Sequence, residues 1–271
     1  MALLISALLI TVVFQLVSGQ TRITAVQSAR EETQQNTRGA LEVMTSELRS
    51  ALPAGILDAA PQSLTFMQPR AWGVLCAQQN AATQFNVAFP DVGANAAWAA
   101  ERTNGVLVQN AGGYSPSPAL GLAARARITA SQDVANTDLT CPAQPAGNVR
   151  VVQLSTSAPV SGSRGALVAV YALTRYDVAT EGGRLWLRRN SGMDASDAFL
   201  PQPLAGPLAA DRFDLQYRNA AGAVIAPGAL AASLANIREV RVRVVTESTQ
   251  RMNGTMQRDS GEAVVSLRNP T

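Results

Sequence analysis

Apolar residues dominate the opening of the chain, MALLISALLITVVFQLV, interrupted only by Ser6, Thr11 and Gln15. No charge occurs before Arg22. As a helix rising about 1.5 Å per residue, this run approaches the roughly 30 Å thickness of a hydrocarbon core. Met1, Leu3, Leu4, Leu8, Leu9, Val12, Val13, Phe14, Leu16 and Val17 are its membrane-spanning candidates. From Gln20 to Ala51 there is no proline, and the only weak helix positions across the whole stretch are Gly19 and Gly39, each costing about 1 kcal/mol relative to Ala. Leu41, Met44, Leu48 and Leu52 recur at helical spacing and form one packing stripe, while Arg30, Glu31, Glu32, Arg38, Glu42, Glu47 and Arg49 occupy the other faces. Pro53 and Gly55 stop the helix. The pattern predicts one helix over residues 1–52, apolar in its first half and amphipathic in its second.

Two other readings compete for the apolar run. A secretory signal peptide would end near the small residues Ser18 and Gly19, but it needs a basic segment ahead of its apolar core, and here the core starts at the first residue. A simple anchor on any envelope protein would look the same over residues 1–17. The amphipathic half that follows favours a helix that emerges to pack beneath a globular head.

After Pro61 the period falls from 3.6 to 2. Strands are predicted over residues 63–68, 84–89, 104–110, 148–155, 184–189, 213–218, 239–247 and 262–268. Residues 166–178, ALVAVYALTRYDV, form the longest apolar run of this region and predict a central strand, joined by Gly182 and Gly183 to the next. Phe213, Leu215 and Tyr217 alternate with Asp214, Gln216 and Arg218, and Val240, Val242 and Val244 alternate with Arg241 and Arg243. Residues 110–120 and 192–206 read as loops, and residues 229–236 as a short helix. The expected fold is therefore α+β: a long N-terminal helix (residues 1–52) packed on a mainly antiparallel β head (residues 53–271).

Composition narrows the chemistry. The chain contains no His, so neither a Ser-His-Asp nor a Cys-His mechanism is available, and the commonest ligand for zinc, copper or haem is missing. No catalytic residue, cofactor or metal site is expected, and the reading is non-enzymatic. A mechanism resting on carboxylates alone would need a cleft with two converging acids. The net charge is only +3, all of the basic side chains being Arg, which is too weak to imply a polyanion by itself. Cys76 and Cys141 sit outside any CxxC motif. In an oxidising compartment they would pair, and closing a loop of that length is worth about 4 kcal/mol in the chain-entropy model. Two free buried thiols are the alternative.

Other candidates have plain structural readings. Arg125 with Arg127, Arg188 with Arg189, and Arg241 with Arg243 could touch DNA phosphates, but their spacing suits the solvent face of a sheet. Asp194 and Asp197 could help hold calcium, though two carboxylates do not make a site. Trp72, Trp98 and Trp186 could form a carbohydrate platform or simply pack.

Several segments, taken in order, resemble one family. QQNTRGALEVMTSELRSA (residues 34–51) is similar to the post-membrane helix of minor pilins of the PilW type and of the J-type pseudopilins of type II secretion. The matching positions are Gln35, Arg38, Ala40, Leu41, Glu47, Leu48, Arg49 and Ala51. The hairpin YDVATEGGRLWLRRNSG (residues 176–192), with its Leu-x-Arg-Arg ending, and the segments FDLQYR, NIREVRVRVV and VVSLRN resemble the family's later strands. Residues 72–139 match nothing specific. The family's basic leader, and the Glu close behind its cleavage point, have no counterpart in the chain; if they lie upstream, Met1 follows that Glu, and the alternative is a variant without the Glu, which would lack the pairing of that carboxylate with a neighbouring subunit's N-terminus.

The resemblance implies a pilin-like fold and a structural subunit of a type IV pilus or pseudopilus, a minor member that primes assembly or sits at the tip. Its implied partners are other major and minor pilin or pseudopilin subunits, the inner membrane before assembly, and prepilin peptidase. The implied location is the cytoplasmic membrane, with a periplasmic head, and then a cell-surface filament serving adhesion, motility, secretion or DNA uptake. A membrane-anchored or secreted β-rich binding module of the cell envelope is the alternative.

Overall fold

The computed structural model describes residues 2–52, 54–90, 105–111, 113–117, 125–134, 141, 149–193, 198–252 and 254–267. The side chains of residues 2–9, 11, 12, 90, 149, 193, 211, 212 and 252 lie outside that description. One helix, α1 (Ala2–Arg49), precedes twelve strands: β1 (Ile56–Ala60), β2 (Ser63–Leu75), β3 (Gln79–Pro90), β4 (Gly105–Asn110), β5 (Gly113–Ser115), β6 (Ile128–Val134), β7 (Val149–Gly162), β8 (Leu167–Glu181), β9 (Arg184–Met193), β10 (Phe199–Arg218), β11 (Glu239–Met252) and β12 (Thr255–Ser266). All belong to one antiparallel sheet whose main path runs β12-β11-β10-β9-β8-β2-β3-β7-β6.

The expected α+β, pilin-like architecture of a long helix on a β head is corrected by this count. Strand makes up 61% of the described residues and the single helix 21%. The molecule is a large antiparallel sheet to which one helix is attached. Strand content exceeded the expectation because β2, β3, β7, β10 and β12 extend well beyond their alternating cores into polar or Gly- and Pro-containing sequence. In such segments, ladder pairing with an already fixed neighbour holds the backbone, and side-chain periodicity gives no signal. Residues 199–206 read as loop yet form half of β10, with Pro201 and Pro203 in register with Asn190 and Arg188 and shifts that absorb the irregularity. The polar strand β6 carried no period at all. In place of a helix over residues 229–236, two single-turn 3-10 segments, Pro227–Ala229 and Leu234–Asn236, stand at the two ends of that stretch.

Two long strands, β2 and β8, divide the sheet into two lobes. Near one end, β8 pairs β9 through Thr174–Glu181 and β2 pairs β1, giving the order β12-β11-β10-β9-β8-β2-β1. Near the other end, β8 pairs β4 through Leu167–Tyr171 and β2 pairs β3, giving β5-β4-β8-β2-β3-β7-β6. The segment from Val168 to Thr174 of β8 is buried throughout, as a strand covered on both faces must be.

Each lobe has its own core. The first is filled by Leu64, Phe66, Tyr176, Leu187, Phe213, Leu215, Tyr217, Val240, Val242, Val244 and Val265, closed by Ala40, Met44 and Leu48 of α1. The second lobe folds around Phe85, Val87, Phe89, Val106, Val108, Val152, Leu154, Val168 and Val170. It closes where Asn110 Nδ2 donates to the Ser161 carbonyl at 3.0 Å and Ser161 N–H donates to Ser115 Oγ at 2.9 Å. Cys76 and Cys141 are joined by a disulfide beside Ala88 and Val151 of this lobe.

Candidate functional site

The helix is the element with the strongest contrast between its two halves. Over its second half, Ala29, Thr33, Thr37, Ala40, Met44 and Leu48 are buried; their spacing of three or four places them on one face. That face lies on β10, β11 and β12. The fit is close at Gly261, where an added Cβ would stand 2.5 Å from Leu41 Cδ1 and 2.8 Å from Thr37 Cγ2. Beside it, Thr246 Oγ1 donates to the Thr33 carbonyl at 2.9 Å and shares a 2.8 Å hydrogen bond with Thr37 Oγ1. Asn36 Nδ2 donates to the Gly206 carbonyl at 3.2 Å. Of the predicted stripe, Met44 and Leu48 are fully buried and Leu41 partly so. Leu52 lies past the helix end and packs instead with Leu57, Met67 and Leu173, its N–H bonded to the Met67 carbonyl at 3.0 Å.

A charged clamp locks the end of this seam. Glu47, which the sequence pattern assigned to a polar face, turns onto the sheet and accepts Arg189 Nε at 2.9 Å and 3.0 Å on its two oxygens. Arg189 Nη2 and Tyr176 Oη also donate to the same carboxylate. The side chains of Glu47 and Arg189 are only 12% and 21% exposed. Hydrogen bonding to Glu47 raises the guanidinium pKa of Arg189 above its ordinary value. Burial, then the Glu47 charge, push the Tyr176 hydroxyl far above its usual range. Removing one partner from such a pair costs about 3–5 kcal/mol, because a buried charge is left uncompensated. Sequence spacing pointed to Leu41, Met44 and Leu48; it gave no sign of Glu47 facing inward, since a carboxylate one residue from a core Leu reads as exposed.

Among the described side chains of the first half of the helix, Ile10 and residues 13–24 are bare. Ile10, Val13, Phe14, Leu16, Val17 and Ile23 are 50–72% exposed. Three of its hydroxyls are turned onto the helix itself: Ser18 Oγ donates to the Gln15 carbonyl at 3.0 Å, Thr21 Oγ1 to the Val17 carbonyl and Thr24 Oγ1 to the Gln20 carbonyl. Hydroxyls satisfied in this way can enter apolar surroundings without a water partner. Of the predicted spanning residues, Val13, Phe14, Leu16 and Val17 are seen exposed; Met1 and the side chains of Leu3, Leu4, Leu8, Leu9 and Val12 lie outside the described residues. Among the described residues no helix is long and apolar enough to cross a membrane.

The remaining candidates are dispersed. Arg188 pairs with Asp177 at 2.9 Å, Arg241 pairs with Glu262, and Arg125 is buried, so the basic pairs do not gather into one surface. Arg175, Asp177 and Arg188, with Gln62 and Ser63, line an open notch of about 500 Å³. Trp72 is partly exposed on β2 and Trp186 rests against Gly206. Asp194, Asp197 and Trp98 lie outside the described residues. Comparison with known proteins leaves the geometry to speak alone: no family model matches the chain, and no curated protein or solved structure matches it significantly.

Proposed function

We propose that the chain is a structural subunit of a type IV pilus or pseudopilus, a minor member that acts at the tip or in priming assembly. The observation that carries this reading is the division of one continuous helix into a half welded to the sheet and an apolar half whose described side chains, Ile10 and residues 13–24, are bare. Exposed apolar surface of that extent marks an interaction site. A helix of this kind is held in a bilayer until other helices of the same character take over the burial of its apolar face. The welded half transmits position from the helix to the head, because the Glu47–Arg189 clamp and the Gly261 contact fix their mutual orientation. The role is structural: a chain without imidazole that presents an apolar rod is suited to assembly, not to catalysis. The head would be periplasmic before assembly and on the filament surface afterwards. The partners would be other pilin or pseudopilin subunits, with prepilin peptidase acting before them.

The test is the N-terminal sequence and intact mass of the chain recovered from membranes, with and without prepilin peptidase. A peptidase-dependent, N-methylated terminus supports the reading. A terminus near Gln20 that is indifferent to the peptidase overturns it, and favours a secreted or anchored binding module with the Arg175–Asp177–Arg188 notch as its contact surface.

A further inference from the structure

The first lobe has a step on the sheet face turned away from α1. Tyr176 and Arg189 reach the helix at Glu47, so their strand neighbours Arg175, Asp177 and Arg188 project from the opposite face. There β2 begins at Ser63, in register with Asp177, while β8 runs on to Glu181 beside β9. The step opens a notch of about 500 Å³, within the range of about 300–1,000 Å³ that holds small ligands. One row of side chains, Ser63, Asp177 and Arg188, crosses its floor, and Arg175 stands in the next row.

Asp177 orients both cations. Arg188 Nε donates to its Oδ1 at 2.9 Å, and Arg175 Nε stands 3.3 Å from its Oδ2. The Phe199 ring, its centroid 5.7 Å from the Arg175 guanidinium carbon, holds that side chain further. The Nη ends of both guanidiniums line the notch without a hydrogen-bond partner among the described residues. Charges on these rows and the adjoining ones balance: Arg175, Arg184 and Arg188 stand against Asp58, Asp177 and Glu181. Trp186 lies on the same face, two residues from Arg188 and so about 7 Å along β9. Its indole is partly exposed and rests on Gly206, where an added Cβ would stand 2.7 Å from Cε3.

We propose that this notch is a binding site for a neutral oligosaccharide. Hydroxyls of one sugar ring accept from the Nη ends of Arg175 and Arg188 and donate to Asp177, and the C–H face of a ring lies on Trp186. The balance of charge selects against an ion, which would gain no net attraction here. A wholly apolar ligand would strip water from the guanidiniums and give nothing back. Hydroxyls both donate and accept, as this mixed row requires, and neighbouring pairs on a sugar ring suit the two-pronged edges of carboxylate and guanidinium. Fixed by Asp177, Phe199 and Gly206, the three recognition groups need little ordering on binding. The site would serve the head in a filament or singly, and its loss leaves the filament reading untouched.

The full chain, held in a zwitterionic detergent without a sugar headgroup, is titrated with maltotriose, cellotriose, mannotriose and galactotriose. Saturation-transfer NMR and tryptophan fluorescence read the binding, in low and in high salt. At least one of the four is expected to bind with an affinity that salt does not change. That affinity falls about tenfold or more in Asp177→Asn. It falls about threefold to tenfold in Trp186→Ala and returns in Trp186→Phe. An unchanged thermal midpoint certifies each variant; should Asp177→Asn fail this, Ser63→Ala reads the same row, with a loss of about threefold. Binding of none of the four overturns the site, as does an affinity indifferent to these substitutions. Tighter binding of trigalacturonate that salt removes, or of the neutral peptide acetyl-triserine amide, overturns it in favour of an anion or a peptide.

Discussion

The clamp around Glu47 is the most consequential arrangement of individual residues in the molecule. A carboxylate, a guanidinium and a phenol converge where the helix meets β8 and β9, and each satisfies groups that would otherwise be buried alone. Replacing Arg189 by Met keeps the stem of the side chain and removes the charge. Denaturation by urea is expected to show a loss of about 3–5 kcal/mol, from the stranded Glu47 carboxylate. A loss under 1 kcal/mol would mean that the seam does not depend on the pair. The tyrosines give a pH signature. Burial holds the hydroxyls of Tyr171, Tyr176 and Tyr217 far above the ordinary value. The unfolded chain therefore ionises these groups first. Their contribution to stability is complete below pH about 10 and is lost as the pH rises beyond it. Ultraviolet titration should show Tyr114 ionising before the other three, which are released together as the protein unfolds. Smooth independent ionisation of all four would contradict this. None of these contacts was legible in the sequence. Glu47 and Arg189 are distant in the chain and lie among exposed-looking charges, and only tertiary packing brings them together.

Among the elements, legibility followed the strength of the side-chain pattern. The helical stripe through Met44 and Leu48 and the apolar run of β8 were readable, because burial on one face or on both leaves a periodic or continuous trace. The cross-strand alternation of Phe213, Leu215 and Tyr217 against Val240, Val242 and Val244 was likewise legible, and these residues meet in one core. Strand extensions such as the first half of β10, and the whole of β6, were not, since their hydrogen bonds are to neighbours that a local reading cannot place. The helix–sheet contact at Gly261 belongs to the same class: one glycine among small residues reads as nothing, yet it sets how closely α1 approaches β12. Gly261→Val should separate them, costing about 1–3 kcal/mol in overpacking; thermal melting would register this as a lowered midpoint. Retention of the wild-type midpoint would show that the helix can shift without penalty.

At the scale of the whole molecule, a two-lobed antiparallel sheet carries one long helix whose residues 13–24 are exposed, with no partner surface within the described part of the chain. Mutual burial of such helices is the physical basis for assembly in this account, and the mainly β body is what they would display. The measurement that tests this claim most directly is photocrosslinking from a benzophenone amino acid at Phe14, a residue that is 72% exposed, in cells that make filaments and in cells that lack the other subunits. Covalent adducts with other apolar-helix subunits are expected in the first case and lipid adducts alone in the second. Lipid adducts alone in both would contradict it, leaving the helix an anchor and the head a module that works singly.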